Sequence, residues 1–385
     1  LKNKPYSYNN IEKILKEVEL IALNTEYESI NATIEETILE NNKINFSIFI
    51  DEIQKQYVER INIIGNNITR EDVLRNKLIL DEGDAFNKIL HKKAMNELRA
   101  LNFFSSVDAE VVEGSSKNSK IINIEVTEKP TGEISAGAGV GTSGSTIGFS
   151  VKENNFLGRG IKLSTNLELT EESIRGKFGV QNPNFRGSDQ SIFADIQSSE
   201  TDRLANFGYK TTKTGFTLGS KFEYFQDVFL SPSITTYYES LKTDSSASTN
   251  LKRQKGTYLD ADFNYLVDFD KRNQKFQTTD GFRSRFNQRI PLVSDDFAFL
   301  NSYEFTTYNQ ISDMVTRISI QGRTVNSLNN EDVRVSKRLF ISPKKLRGFQ
   351  VGKVGPIDSG DFIGGNHTAV LNASTTLPEF GANLE

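Results

Sequence analysis

The residues that could do chemistry in this chain are few and poorly spaced for it. There are two histidines, His91 and His367, far apart in sequence, and no cysteine. Disulfides, thiolate nucleophiles and cysteine-ligated metals are therefore excluded. A histidine metal site or a Ser-His-Asp arrangement is nearly starved of parts. His91 falls in an amphipathic stretch and reads as a surface or half-buried residue, and His367 follows a Gly-Gly-Asn turn and reads as structural. The carboxylate pairs Glu171–Glu172 and Asp295–Asp296 fall where loop tips are expected. Solvation explains them better than general acid-base work. The run GVGTSG (139–144) matches G-x-G-x-x-G through Gly139, Gly141 and Gly144. A dinucleotide site needs a helix after that motif, whereas STIGFSVKE alternates Ile147, Phe149 and Val151 like a strand. No catalytic residue, cofactor or metal ligand is expected.

One basic loop stands apart. KKLRGFQVGKVGP (344–356) gathers Lys344, Lys345, Arg347 and Lys353 around glycines, an aromatic and a proline, between strand-like segments. Taken alone, Arg347 is either a solvated loop charge or a fork for a carboxylate.

The elements that must position these residues change character near residue 130. Earlier, NNIEKILKEVELIAL (9–23) places Ile11, Ile14, Leu15, Val18 and Ile21 on one helical face. Two strand-like runs follow, SINATIEETIL (29–39) and KINFSIFIDE (43–52), joined by the turn signal ENN. A fuller version of this pattern comes next. YVERINIIGNN (57–67) reads as a strand and TREDVLRNKL (69–78) as a helix with a threonine cap. NKILHKKAMNELRALNFF (87–104) reads as a second helix, VDAEVVE (107–113) and KIINIEVTEK (120–129) as two strands. The fold class is thus α+β up to residue 130: a truncated module over 1–56 and a complete one over 57–130. A mixed sheet with helices on one face leaves an edge that can accept another strand.

From residue 131 to 385 nothing reads as helix. Ile161, Leu163, Leu167 and Leu169 alternate with Lys162, Ser164, Asn166 and Glu168, and Phe282, Phe286 and Ile290 alternate with Arg283, Arg285, Asn287 and Arg289. About twelve such strands are expected, an all-β antiparallel meander. A soluble sandwich or propeller would turn the apolar face inward; a transmembrane β-barrel would turn it to lipid and keep a polar lumen. Acids opposed to arginines suit the wet lumen, because a dry core tolerates ions only when they are nearly perfectly paired. The formal charge of −4 gives no field that points to nucleic acid. The glycine-rich first strand, with Gly137, Gly139 and Gly141, is expected to pair weakly and to open as a seam.

The motifs in order carry a resemblance over essentially the whole chain. LRGF (Leu346, Arg347, Gly348, Phe349), then Gly355–Pro356, then Gly364, Gly365 and Asn366, resemble a signature of the outer-membrane barrel assembly and translocation proteins. This is the POTRA-plus-barrel surface-antigen family. NNFLGRG (154–160), NPNF (182–185) and TTDGFRSRF (278–286) resemble its turns, and residues 57–130 resemble its last POTRA (polypeptide-transport-associated) module. The resemblance implies a barrel of sixteen strands after periplasmic POTRA modules. It implies assembly of nascent outer-membrane barrel proteins, with accessory assembly lipoproteins, periplasmic chaperones and the lipid bilayer as partners, and no nucleic acid. Sibling functions in the family are a translocation-and-assembly subunit or a two-partner secretion transporter; a passive porin fits the strands but not the modules.

The resemblance also implies that the loop folds into the lumen, where Arg347 meets acids on the inner wall. Here the strand position that carries such an acid in some relatives is Ser374, and the residues before the motif read ISPKK. The chain is expected to be a piece of a longer protein, lacking earlier modules and the last strands.

Overall fold

The computed structural model describes residues 30–39, 43–52 and 55–376, apart from 142–143, 276, 312–313, 343–344 and 350–351, together with residue 18. The helix expected over 9–23 lies outside these residues except for Val18, which is helical. The chain divides into two compact units, Leu1–Thr131 with Leu157–Arg159, and Gly132–Phe156 with Gly160–Glu385.

In the first unit β1 (Ile30–Leu39) and β2 (Lys43–Glu52) form an antiparallel hairpin. Then come β3 (Tyr57–Ile64), α1 (Glu71–Arg75), α2 (Lys88–Ala100), β4 (Phe104–Glu113) and β5 (Ser119–Glu128). β5 is the middle strand, parallel to β3 and antiparallel to β4. Its alternation puts Ile122, Ile124 and Val126 on one face, where they pack with Ala94, Met95 and Leu98 of α2. The 94/95/98 spacing is one helical stripe. The Asn87 side chain caps α2 by accepting from the Ile89 and Leu90 amides.

The expected threonine cap on the preceding helix is corrected. α1 is a helix of 5 residues with Arg70 at its cap position and no side-chain cap. The amides of Ile68 and Thr69 donate instead to the Glu128 carboxylate at 2.8 and 2.6 Å. These amides precede the helix, so Glu128, 60 and 59 positions away, fixes the chain that enters α1 without capping it. Gly65 closes the turn after β3 with φ +93, and a Cβ there would collide with the Val126 carbonyl. Only glycine fits both conditions.

The second unit is a sheet of 12 antiparallel strands. β6 (Gly132–Gly141), β7 (Gly144–Phe156), β8 (Ile161–Thr170), β9 (Ser173–Asn182), β10 (Ser191–Arg203) and β11 (Tyr209–Phe225) follow one another. β12 (Val228–Thr243), β13 (Gly256–Asp270), β14 (Gly281–Val293), β15 (Ala298–Ile311) and β16 (Met314–Ser327) continue the meander. After a long loop, which holds the short pair β17 (Ile357–Asp358) and β18 (Asp361–Phe362), β19 (His367–Thr375) pairs with β16. Among the described residues the sheet therefore has two edges, β6 and β19.

The alternation sorts side chains into two faces. Directly opposed residues share a face, so the register turns Ile134, Ile147, Phe178, Phe216, Ile234 and Ile320 to one side, where all are exposed. A large apolar face left open to the outside is the arrangement of a barrel in lipid. Among the described residues no helix is long and apolar enough to cross a membrane. The expectation that nothing beyond residue 131 is helical is corrected: α3 (Leu204–Phe207) and α4 (Thr249–Arg253) are single turns in strand connections. Helices of 4 and 5 residues are too short to leave a periodic signal.

Candidate functional site

The polar face of the sheet is occupied by the loop between β16 and β19. The loop segment DVRVSK (332–337) places Val333 and Val335 on either side of Arg334. Val333 packs with Ala298, Val325 and Leu339, while Val335 packs with Phe207, Tyr209, Leu241 and Leu251. Two separate apolar contacts therefore press Arg334 toward the strands. Its guanidinium sits 3.6 Å from the Tyr258 ring centroid, a cation-π geometry.

Arg334 Nη1 donates to Glu239 Oε2 at 2.7 Å and to Asp260 Oδ2 at 2.9 Å. Its backbone N–H donates to Asp296 Oδ2 at 3.1 Å. One turn of loop later, Lys337 Nζ donates to Asp260 Oδ1 at 2.8 Å and to Asp296 Oδ1 at 2.6 Å. It also reaches Ser294 Oγ at 2.8 Å. Lys213 of β11 approaches Glu239 Oε2 at 3.6 Å. Three cations thus face three carboxylates, and Glu239 and Asp260 are wholly buried. Burial opposes ionisation of Asp296, but Lys337 beside it outweighs this and holds the carboxyl below the usual range.

The solvated reading of the Asp295–Asp296 pair is therefore corrected for Asp296, which is 5% exposed. The β14–β15 connection turns its side chain toward Lys337, not toward water. The other carboxylates have local partners: Glu172 meets Arg203 at 3.0 Å, and Glu171 accepts from the Ser145 amide at 3.0 Å.

The family-motif residues lie further along the same loop. Lys345 Nζ meets Glu304 at 2.7 Å, and the Lys345 carbonyl accepts from Asn372 Nδ2 at 3.0 Å. Both contacts bring the chain to the polar face just ahead of Leu346, Arg347, Gly348 and Phe349. Arg347 is exposed and pairs with no described residue, and Phe349 is also exposed. Ser374 stands opposite Arg317 in the β16–β19 register. At the return end of the loop, the Pro356 carbonyl accepts from the Ile363 amide at 3.1 Å and Gly365 exchanges two backbone bonds with Leu339. Gly355 and Gly364 hold positive φ, and a Cβ on Gly364 would meet Phe340 at 2.8 Å. The Asn366 carbonyl accepts from Val325.

Gly137, Gly139 and Gly141 lie together on the polar face of the edge strand β6, opposite Gly148, Thr146 and Gly144. No atom comes within 4 Å of a Cβ built at Gly137 or Gly139. The G-x-G-x-x-G match is thus strand, turn and strand. Of the histidines, His91 is half-buried on α2 and His367 starts β19. Among the described residues, no group of three or more His, Cys, Asp or Glu is placed to hold a metal ion.

Sequence reasoning missed Arg334, Lys337 and their acidic partners. The signal available was the Val-Arg-Val alternation within a loop, together with the Asp260 position on the polar side of β13.

Comparison with known proteins places this arrangement. Residues 155–383 match the Omp85 superfamily domain, and residues 56–129 match the POTRA model described as a surface antigen variable number repeat. The outer membrane protein assembly factor BamA of Neorickettsia risticii is 24% identical over 347 residues, 88% of this chain and 46% of that protein. The human sorting and assembly machinery component 50 homolog is 22% identical over 350 residues, 83% of this chain and 71% of that protein. Among solved structures, BamA from Haemophilus ducreyi lacking POTRA domains 1–3 superposes with a TM-score of 0.72 at 20% identity, covering 97% of this chain and 76% of that one. The chain spans less than half the length of the BamA relatives it matches, 46% and 43% of two of them.

Proposed function

The chain belongs to the Omp85 superfamily, and on that premise we propose that it acts in an assembly factor that folds nascent barrel proteins and inserts them into the bacterial outer membrane. In this reading residues 1–56 are part of one POTRA module, 57–130 form a complete module in the periplasm, and 131–385 belong to the transmembrane β-barrel. No bond chemistry is involved.

The observation that carries the reading is the edge strand β6. Among the described residues one of its edges is unpaired, and its polar-face positions carry Glu133, Ser135 and, along the rest of the strand, three glycines. Such a strand offers backbone donors and acceptors without side-chain selection. Strand addition at this seam would relieve the main obstacle to insertion, which is moving unpaired peptide groups into hydrocarbon. Sequence tolerance suits a machine with many clients. The loop anchored by Arg334 and Lys337 would keep the lumen organised while the seam works. Nascent barrels, the chaperones that deliver them and accessory lipoproteins are the partners this reading implies.

The 385 residues carry no cysteine, so the test introduces one among them. An Ala138→Cys variant of β6 in the complete protein is expected to form a disulfide with a cysteine in the terminal strand of a stalled client barrel. Cross-linking of a secreted substrate to lumen-facing positions, with none at β6, would instead establish the secretion transporter.

A further inference from the structure

The polar face of the sheet holds a cavity of about 460 Å³, and none of its lining comes from the β16–β19 loop. Its walls are β8, β9, β10, β11, β12 and β14. Each of these strands is paired on both sides, so the cavity does not depend on either end of the sheet. Small-molecule sites span about 300–1,000 Å³, and this volume falls within that range. Four cations line it, Arg175, Lys177, Lys213 and Arg289, against one carboxylate, Glu168.

Most of this positive charge is not consumed within the chain. Lys177 is held by Asp195 at 3.0 Å. Arg175 comes only to 3.6 Å from Glu168, and Lys213 only to 3.6 Å from Glu239 and 3.5 Å from the Ser336 carbonyl. Arg289 lies 3.8 Å from Asp262 and donates its Nε to Asn264 at 3.2 Å. A charge-assisted hydrogen bond is shorter, about 2.7–2.9 Å, so three cations keep strong donors in reserve. Tyr237 adds a second sign. It lines the cavity at 8% exposure, yet its hydroxyl makes no hydrogen bond to any described residue. Gly215 stands opposite, where a Cβ would meet the Tyr237 Cβ at 2.7 Å, so no side chain fills that position. A withdrawn phenol without a partner is costly, and an acceptor on a ligand would remove the cost.

We propose that this cavity binds a compact polyanion carrying two or more phosphate groups. Its donors come from β9, β11, β12 and β14 and so converge from different walls. Phosphate oxygens accept from all of those directions, whereas the two oxygens of a carboxylate lie in one plane. Arg175 on β9 and Arg289 on β14 stand five places apart in the sheet, which favours several phosphate groups over one. A phosphorylated lipid headgroup and a soluble polyphosphate share this chemistry. The inference stands on the cavity and does not depend on the assembly reading.

Calorimetric titration of the complete protein in detergent micelles with inorganic tripolyphosphate tests it. Saturable binding is expected, weakened about tenfold or more by Arg175→Gln/Arg289→Gln and roughly threefold to tenfold by Tyr237→Phe. Lys221→Gln, an exposed position of β11 outside the cavity, should leave the affinity unchanged. Citrate, a carboxylate polyanion, should bind about tenfold more weakly than tripolyphosphate. Micelles doped with a diphosphorylated lipid separate the two sources. Competition with tripolyphosphate assigns the site to a headgroup, and its absence assigns the site to a soluble polyanion. No binding, equal affinity for citrate, or an affinity that the arginine pair leaves unchanged would each overturn the proposal. If that pair fails to fold, Tyr237→Phe, which keeps the ring, decides the matter, and an unchanged affinity there counts against the site.

Discussion

Arg334 and Asp260 stand 74 positions apart in the chain, yet Nη1 and Oδ2 meet at 2.9 Å with both side chains nearly withdrawn from solvent. This pair fastens the β16–β19 loop to a strand three places away in the sheet. The fastening is charge-balanced, so its loss exposes the cost of a buried ion and not only of one bond.

Asp260→Ala is therefore expected to lower stability by about 3–5 kcal/mol, the range for removing one partner of a buried pair. The loop should also become sensitive to trypsin between residues 328 and 356. Arg347→Ala, which removes an exposed charge that pairs with no described residue, should leave both readouts where they were. Equal digestion of the two variants would show that Arg334 is not the anchor.

His91 offers a second check, in the first unit. Burial depresses its pKa below the ordinary histidine value of about 6.5. The neutral form is favoured in the folded state, so the unfolded chain binds more protons as pH falls. The contribution is complete above pH about 6.5 and is lost as pH drops through that value toward the folded pKa. With only two histidines, the ring resonances of the whole chain can be followed by NMR, and His91→Gln identifies its own signal. His91 should titrate below 6.5, and a midpoint at or above 6.5 would contradict the burial described here.

Much of the fold was legible because amphipathic strands and helices write their burial into a short period. Ile161 to Leu169 and Phe282 to Ile290 alternate, with Thr165, Ser284 and Gln288 as exceptions, and β8 and β14 lie where that alternation is. The two-sided chemistry of the long meander, and the module before it, followed from the same pattern. Single turns such as Leu204–Phe207 were not legible, since one turn has no period. The Arg334 cluster was illegible for a different reason. Its partners come from β12, β13 and the β14–β15 turn, at separations of 95, 74 and 38 positions, and no local spacing encodes such a meeting. Asp296 looked solvated because its sequence neighbours are loop residues, while Lys337, which buries it, is 41 positions away.

Gly65→Ala tests the turn that links β3 to the Glu128-bound loop. The backbone is left-handed there and the new methyl would strike the Val126 carbonyl. A loss of about 1–3 kcal/mol is expected, beyond the usual gain from a stiffer unfolded chain. Urea denaturation of the first unit's signals measures it. An unchanged midpoint would mean that the turn rearranges freely.

The seam separates stability from activity. At Gly137 and Gly139 a side chain would meet nothing within 4 Å, so the folded sheet can accept valine without a clash. Valine also has higher strand propensity and less unfolded-state freedom than glycine. Gly137→Val/Gly139→Val should therefore fold at least as stably as the unaltered chain, by about 0.5–1 kcal/mol per site where the added packing is realised. If β6 works by opening and by pairing without selection, the same change should slow assembly of client barrels in the complete protein, because a stiffer strand with bulk on its polar face opens less and tolerates fewer partners. Heat-modified gel mobility reports the folding, and the steady-state level of client barrels reports the activity. A stable variant with undiminished client levels would remove β6 from the mechanism, whereas an unstable one would show that the glycines serve the fold itself.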